Sequence, residues 1–432
     1  MSAGFDRLSF SQQVLPGTYM NFVSASGTSA VLQKRGITAL GLSLDWGTPN
    51  EIMVLHAESA ARECQSLLGH AWGEDCMLPI REALSNASTL YLYRTDQGGT
   101  ASMGRFATAR YVGSRGNALT INITKSTTNE WYDVETLLDG KQVDLQVGLP
   151  AAALLEDNEY VEFHKSATLS IGIYPCSGGT DGTESAEAHM AFQKALEQYC
   201  PNTVGYAGQE EEIKESYVTF VKRMRDTLGL KCQAVLYQTA ADYEGVISVY
   251  NTVSGSVPGA LVYWIAGLTA AADISVSLVN QSYQGELKVT VPADMEACEA
   301  AAKLGHMVLY NVGGSVRILC DINTLVTYST EKSAQFASNQ TIRVIDQIAT
   351  DLGVLFRDKY LGICPNDEEG RTSLWADIVK HHRTLQDMRA IESFEDGDIT
   401  VTRGSDAQSV VITDCITVVN AMTKLYLTCY LA

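Results

Sequence analysis

GALVYWIAGLTAAADISVSLVNQSYQG, residues Gly259 to Gly285, is the most apolar stretch of the chain and ends abruptly in polar residues. A bilayer span needs about 20 apolar residues, and the run Ala260 to Ala272 is shorter, so it reads as a buried core helix. Ala266, Gly267, Ala270, Ala271 and Ala272 allow another backbone to approach closely. Asp273 stops the run, and the Ser/Asn/Gln-rich strip from Ser275 to Gly285 reads as an ordered loop at the helix end.

The 432 residues around this helix exceed one ordinary core and suggest two to four domains. With 46% hydrophobic and 19% charged residues the composition is globular. A formal net charge of -19 argues against nucleic acid, whose phosphates need a basic face, and disfavours anionic membrane surfaces. The cysteines (Cys64, Cys76, Cys176, Cys200, Cys232, Cys298, Cys320, Cys364, Cys415, Cys429) show no C-x-x-C pair and no metal spacing. They read as small core residues in a reducing compartment. The N-terminal MSAGFDRLSFSQQ has no basic segment followed by an apolar one, so synthesis in a cytoplasm and no membrane insertion are expected.

Working outward, the pattern predicts an α/β core split in two, at residues 30–98 and 165–330, with a mixed sheet and helices. The first part reads as strand Ile37 to Leu44, strand Ile52 to Leu55, helices Ser59 to Leu68 and Met77 to Ala87, and strand Thr89 to Arg94. Helical period vanishes after Gly98-Gly99, and short strands separated by Gly, Asn and Asp predict an all-β insertion over 99–164. The second part predicts helices Glu184 to Tyr199, Ile213 to Leu228 and Met295 to Leu304, and strands at Gln233 to Gln238 and Gly245 to Tyr250. Residues 331–420 predict an α+β C-terminal domain with amphipathic helices Thr341 to Phe356 and Leu374 to Arg389. An orphan strand stands at each end, in arms covering 1–29 and 421–432. The C-terminal one, Leu425 to Leu431, is too apolar to be left in water.

Chemistry-bearing motifs are scarce. The loop SGGTDGT before a helix invites a phosphate reading. It lacks the G-x-x-x-x-G-K-[ST] spacing and carries Asp181, so a structural turn is preferred. His381-His382 point about 100° apart on a helix, which disfavours joint metal binding. Lys380, His381, His382, Arg383 and Arg389 form a basic patch, either a solvated helix face or a docking surface for an acidic partner. No catalytic, cofactor-binding or metal residues are expected, although a dispersed triad enzyme stays open.

Several short stretches, in order, resemble contractile phage tail sheath proteins of the kind found in Gram-positive prophages and phage-tail-like bacteriocins. They are Pro16 to Tyr19 with Asn21-Phe22, Leu44-Asp45-Trp46-Gly47, Thr108 to Asn117, Gly178 to Thr183 and Val262 to Gly267. Further matches are Asp321 to Leu325, Asn339 to Asp346 (NQTIRVID), Asn366 to Arg371, and Val419 to Met422 leading to Leu425-Tyr426. Val276 to Asn280 departs from the Ser-x-Thr-Asn strip usual there. The resemblance implies a subunit that polymerises with itself as stacked hexameric rings around an inner tail tube and contracts to drive the tube through a target envelope. It also implies baseplate and terminator proteins as partners, no cofactor, and assembly into a virion tail or phage-tail-like particle. Arms exchanging strands with neighbours would use Thr18, Tyr19, Met20, Asn21, Phe22 and Val23, and Leu425, Tyr426, Leu427, Thr428, Cys429, Tyr430 and Leu431. The C-terminal domain would lie innermost, with Lys380, Arg383 and Arg389 facing the tube. Another tail or baseplate protein, or a soluble α/β enzyme, is the alternative.

Overall fold

Alternation along the first strand explains the core. In the computed structural model, which describes residues 32–127 and 130–431, Ala39 belongs to one buried cluster and Leu40 to another on the opposite face. Side chains of successive strand residues point to opposite faces, so one strand feeds two cores. The sheet runs in the order His306–Met307, Val246–Val249, Gln233–Tyr237, Thr203–Tyr206, Ile37–Leu42, Thr89–Arg94, Ile52–His56. Its neighbours are parallel except the last pair.

Helices α1 (Ala60–Leu68) and α2 (Leu78–Leu84) cover one face; α3 (Ala186–Leu196) and α4 (Glu211–Lys222) cover the other. The apolar helix α5 (Leu261–Ala271) lies on the first face, wedged between the sheet and α2. It is buried nearly all round, as a helix without a polar face must be. A Cβ at Gly267 would overlap the carbonyl oxygen of Ala83, so only glycine permits this approach. Helix α6 (Met295–Lys303), capped by Asp294 onto the Ala297 amide (2.9 Å), packs beside the edge strand through Cys298 and Ala301.

The structure changes two expectations here. Strand Thr203–Tyr206 sits centrally in the sheet, although no strand was expected there. The β insertion also outruns residue 164. Gly172–Pro175 pairs with Leu119–Lys125 in a four-stranded sheet, and Leu169 and Cys176 lie in the insertion's core. Asp96–Gln97 pairs with Thr183–Glu184, forming a stem where the chain leaves and re-enters the core. The insertion therefore runs from Gly98 to Gly182.

In the C-terminal part, α7 (Asn339–Leu355) and α8 (Glu368–Asp387) pack with two small antiparallel pairs, Ile391–Glu392 with Thr417–Val418 and Ile399–Arg403 with Val410–Asp414. Ser338 caps α7 through the Thr341 amide and Asp367 caps α8 through the Gly370 amide. Helix α8 starts six residues before the expected Leu374, and Arg389 lies beyond its end at φ 59°.

Candidate assembly surface and the seams behind it

Several of the stretches that carried the resemblance meet in space at two seams. At the first, between core and insertion, Trp46 leaves the core and is buried among Phe106, Tyr111 and Tyr160. Gly113, at φ 134°, has no room for a Cβ against the Asp45 carbonyl oxygen. Arg115 donates to the Gly69 carbonyl (2.6 Å) and to Asp139 (2.6 Å). The GGTDGT loop closes the seam: Asp181 accepts from the Ser114 amide (2.6 Å) and hydroxyl (2.9 Å), and Asn117 brackets Gly179. Its aspartate is thus committed to a structural turn.

Beside this seam His70 stands between two carboxylates, Nδ1 at 2.8 Å from Glu74 and Nε2 at 2.8 Å from Asp45. The Asp45 hydrogen bond, opposed by burial and helped by Glu74, raises the imidazole pKa. Cys76 completes a group of three potential metal-ligating atoms within 4.8 Å of one another, which sequence spacing did not reveal. An imidazolium held by two carboxylates satisfies this geometry without an ion.

The second seam joins core and C-terminal part along α7, and it is ionic. Arg225 makes a bidentate pair with Asp346 (2.6 and 2.7 Å) and donates to the Cys232 carbonyl (3.0 Å). Arg343 pairs with Asp321 (2.7 Å) and donates to the Val276 carbonyl (2.9 Å). All four side chains are buried. Burial opposes the charge on Arg225, yet Asp346 outweighs it and raises the pKa above the ordinary arginine value. Arg35 donates to the Thr269 and Ala272 carbonyls, satisfying the C-terminal end of α5. Burial and the neighbouring Arg343 lower its pKa to about 10.

The expected site residues fall out unevenly. Thr18 to Val23 lie outside the described residues. Leu425 to Leu431 find no strand partner within their own chain and run without regular structure, with Leu425 88% and Leu431 99% exposed. Lys380, Arg383 and Arg389 are exposed, but His381 and His382 are buried and leave the basic patch. His381 Nε2 meets Asp351 at 2.8 Å, and His382 faces Asp414 at 3.1 Å. Burial holds the His381 pKa below the ordinary imidazole value despite Asp351. Arg383 is bound by both oxygens of Asp396 at 2.7 Å, which makes this face mixed in charge instead of cationic.

An α/β body thus carries a β lobe on a paired stem and an exposed apolar tail, and a contiguous exposed apolar segment of this kind marks an interaction surface. Three family models match in chain order. They are the tail sheath protein Gp18 domain III N-terminal region (residues 35–95), the phage tail sheath protein central domain (182–324) and the phage tail sheath C-terminal domain (331–432). The sheath tail protein of Desulfitobacterium hafniense is 32% identical, covering 95% of this chain and 99% of that one, with a TM-score of 0.82. The one from Listeria innocua is 29% identical over 91% and 94%, with a TM-score of 0.79. The phage-like element PBSX protein XkdK of Bacillus subtilis is 29% identical over 95% of this chain and 96% of its own length. The chain belongs to the phage tail sheath family, a family of structural proteins and not of enzymes. A contracted extracellular injection-system sheath shares the fold at 11% identity and a TM-score of 0.55.

Proposed function

We propose that this chain is the repeating subunit of a contractile tail sheath, stacking as hexameric rings around an inner tube and contracting to drive it through a target envelope. The observation that carries this reading is the exposed apolar tail Leu425 to Leu431, rooted on a folded body. Strand exchange with neighbours buries it, and Thr18 to Val23 act likewise from the other end. The hairpin Ile399–Arg403 with Val410–Asp414 is two-stranded among the described residues; its first strand lies along α8, whose Trp375 indole donates to the Ile399 carbonyl (3.2 Å), and the unpaired edge of its second strand is where an added strand would pair. Baseplate and terminator proteins cap the polymer at its ends. The subunit is made in the bacterial cytoplasm and built into the particle; among the described residues no helix is long and apolar enough to cross a membrane. Electron microscopy of the purified chain tests this directly: hollow cylinders are expected, and small discrete particles with a polar pocket would favour the enzyme reading.

Two further expectations arise here. The insertion is an outward lobe dispensable for assembly. Replacing residues 98–182 by a short Gly-Ser linker, with Trp46→Ser because that ring loses its cover, leaves cylinders forming. Protein that is folded by circular dichroism but does not assemble would refute this.

The second half of α8 and a residue just past its end face the tube through Lys380, Arg383 and Arg389. Reversing all three charges abolishes co-assembly with tube protein and spares sheath-only polymer. Because Arg383 is already held by Asp396, the larger share of the loss comes from Lys380 and Arg389. Tube binding unchanged at low and high salt would leave this an ordinary solvated face.

A further inference from the structure

Helix α7 grips both ends of the chain by the same device. Near its start, the buried Gln340 accepts from the Ala421 amide (3.0 Å) and donates to the Val419 carbonyl (3.3 Å). Two turns on, the buried Gln347 donates to the Gln33 carbonyl (3.0 Å), while the neighbouring Asp351 accepts from the Gln33 amide (2.9 Å). At each point, side chains imitate a strand partner and hold both polar groups of an extended backbone. Asn420 donates to Thr341 at 3.0 Å, and the Val419 amide donates to the Ala390 carbonyl at 2.9 Å, which strengthens the first grip. His381 orients Asp351 from α8, and the Gln347 amide also donates to Asp351 (2.9 Å), strengthening the second.

Seven residues separate Gln340 from Gln347, which puts them on one helix face roughly 10 Å apart at the rise of an α-helix. The two chain segments, more than 380 positions apart in sequence, therefore leave the body beside a single rigid rod. We propose that Gln340 and Gln347 are positioning residues for assembly. Through α7 they fix the separation and direction of the two arms, and hence the register between the two neighbouring copies of this chain that those arms engage. This rests on the strand-exchange reading above.

A merely structural role would change melting; a positioning role changes assembly at constant melting. Full chains carrying Gln340→Met, Gln347→Met or Asn420→Ala are compared with the unaltered protein and with a tail-tip control, Leu427→Asp/Tyr430→Asp. Met keeps the length and burial of Gln, and Asn420 is exposed, so its variant removes only hydrogen bonds with Ser338 and Thr341 at the start of α7 and leaves the core packing untouched. Hydrogen exchange is expected to rise at Ala421 in Gln340→Met, where that amide loses its acceptor, whereas Gln347→Met removes the donor to the Gln33 carbonyl and leaves the Gln33 amide on Asp351. The protein concentration needed for cylinders rises roughly five- to tenfold in each, the worth of one or two net hydrogen bonds. Asn420→Ala moves the same threshold in the same direction. Cylinders forming at the unaltered threshold in Asn420→Ala and both Met variants, while the tail-tip control fails to assemble, would overturn the positioning role. Normal cylinders from the tail-tip control would overturn strand exchange itself.

Discussion

A chain ending at Thr423 is expected to melt at the same midpoint as the full chain and to form no cylinders. The residues removed contribute little to their own body: Leu425, Tyr426, Leu427, Tyr430 and Leu431 are between 77% and 99% exposed. The grip on the tail's root, at Val419 to Ala421, lies upstream of the cut and survives it. Placed on a neighbour, by contrast, each large apolar side chain is worth about 1.5–3 kcal/mol when fully buried. Each added backbone hydrogen bond contributes about 0.5–1.5 kcal/mol net. Several of each amount to on the order of 10 kcal/mol per contact before ordering costs, enough to decide between polymer and monomer at working concentrations. A peptide covering the missing segment binds only weakly, because it lacks the effective concentration that tethering supplies. Calorimetry and negative-stain microscopy on the same sample read both halves of the expectation. Cylinders of ordinary appearance would mean that lateral packing of the bodies holds the sheath.

What the sequence made legible is what depends on neighbours in sequence. The apolar run around Trp264 has the length and flanks of a core helix, and α5 occupies Leu261–Ala271 within the expected Ala260 to Ala272. Gly267 was expected to admit a second backbone, and Ala83 takes that place. Thr203–Tyr206 escaped notice because four residues after Pro201 show no period of their own; its place is decided by strands on either side. Gly172–Pro175 was not expected as a strand; its Gly and Pro weaken any strand signal and are tolerated because the strand lies at a sheet edge. His381 and His382 looked like part of a cationic face because charge is read residue by residue. Their burial is set by Asp351 and Asp414, which sit 30 and 32 positions away on other elements. The same holds for the α7 seam, where the resemblance marked NQTIRVID without indicating what its Arg and Asp touch.

That seam predicts a large loss of stability. Asp346→Ala is expected to destabilise the chain by about 3–5 kcal/mol, because it leaves the Arg225 guanidinium buried with no counter-charge. The surroundings cannot compensate. Lys231, whose pKa burial and Arg225 already lower to about 8, lies close by, and Arg35 and Arg343 add cations to the same region. Glu244, which also favours the charge on Arg225, is engaged by Lys332 at 2.6 Å, and the exposed Asp226 is held by the Tyr243 hydroxyl (2.9 Å). Replacing both partners, Arg225→Met with Asp346→Leu, removes the buried charge together with its need, and is expected to recover most of the loss. The double change leaves the Cys232 carbonyl without its Arg225 donor, so recovery stops short of complete. Urea unfolding of the single and double variants measures the coupling. If Asp346→Ala lay within about 1 kcal/mol of the unaltered chain, the range of an exposed pair, water would be reaching the seam. The ionic contact would then orient the two bodies without holding them together.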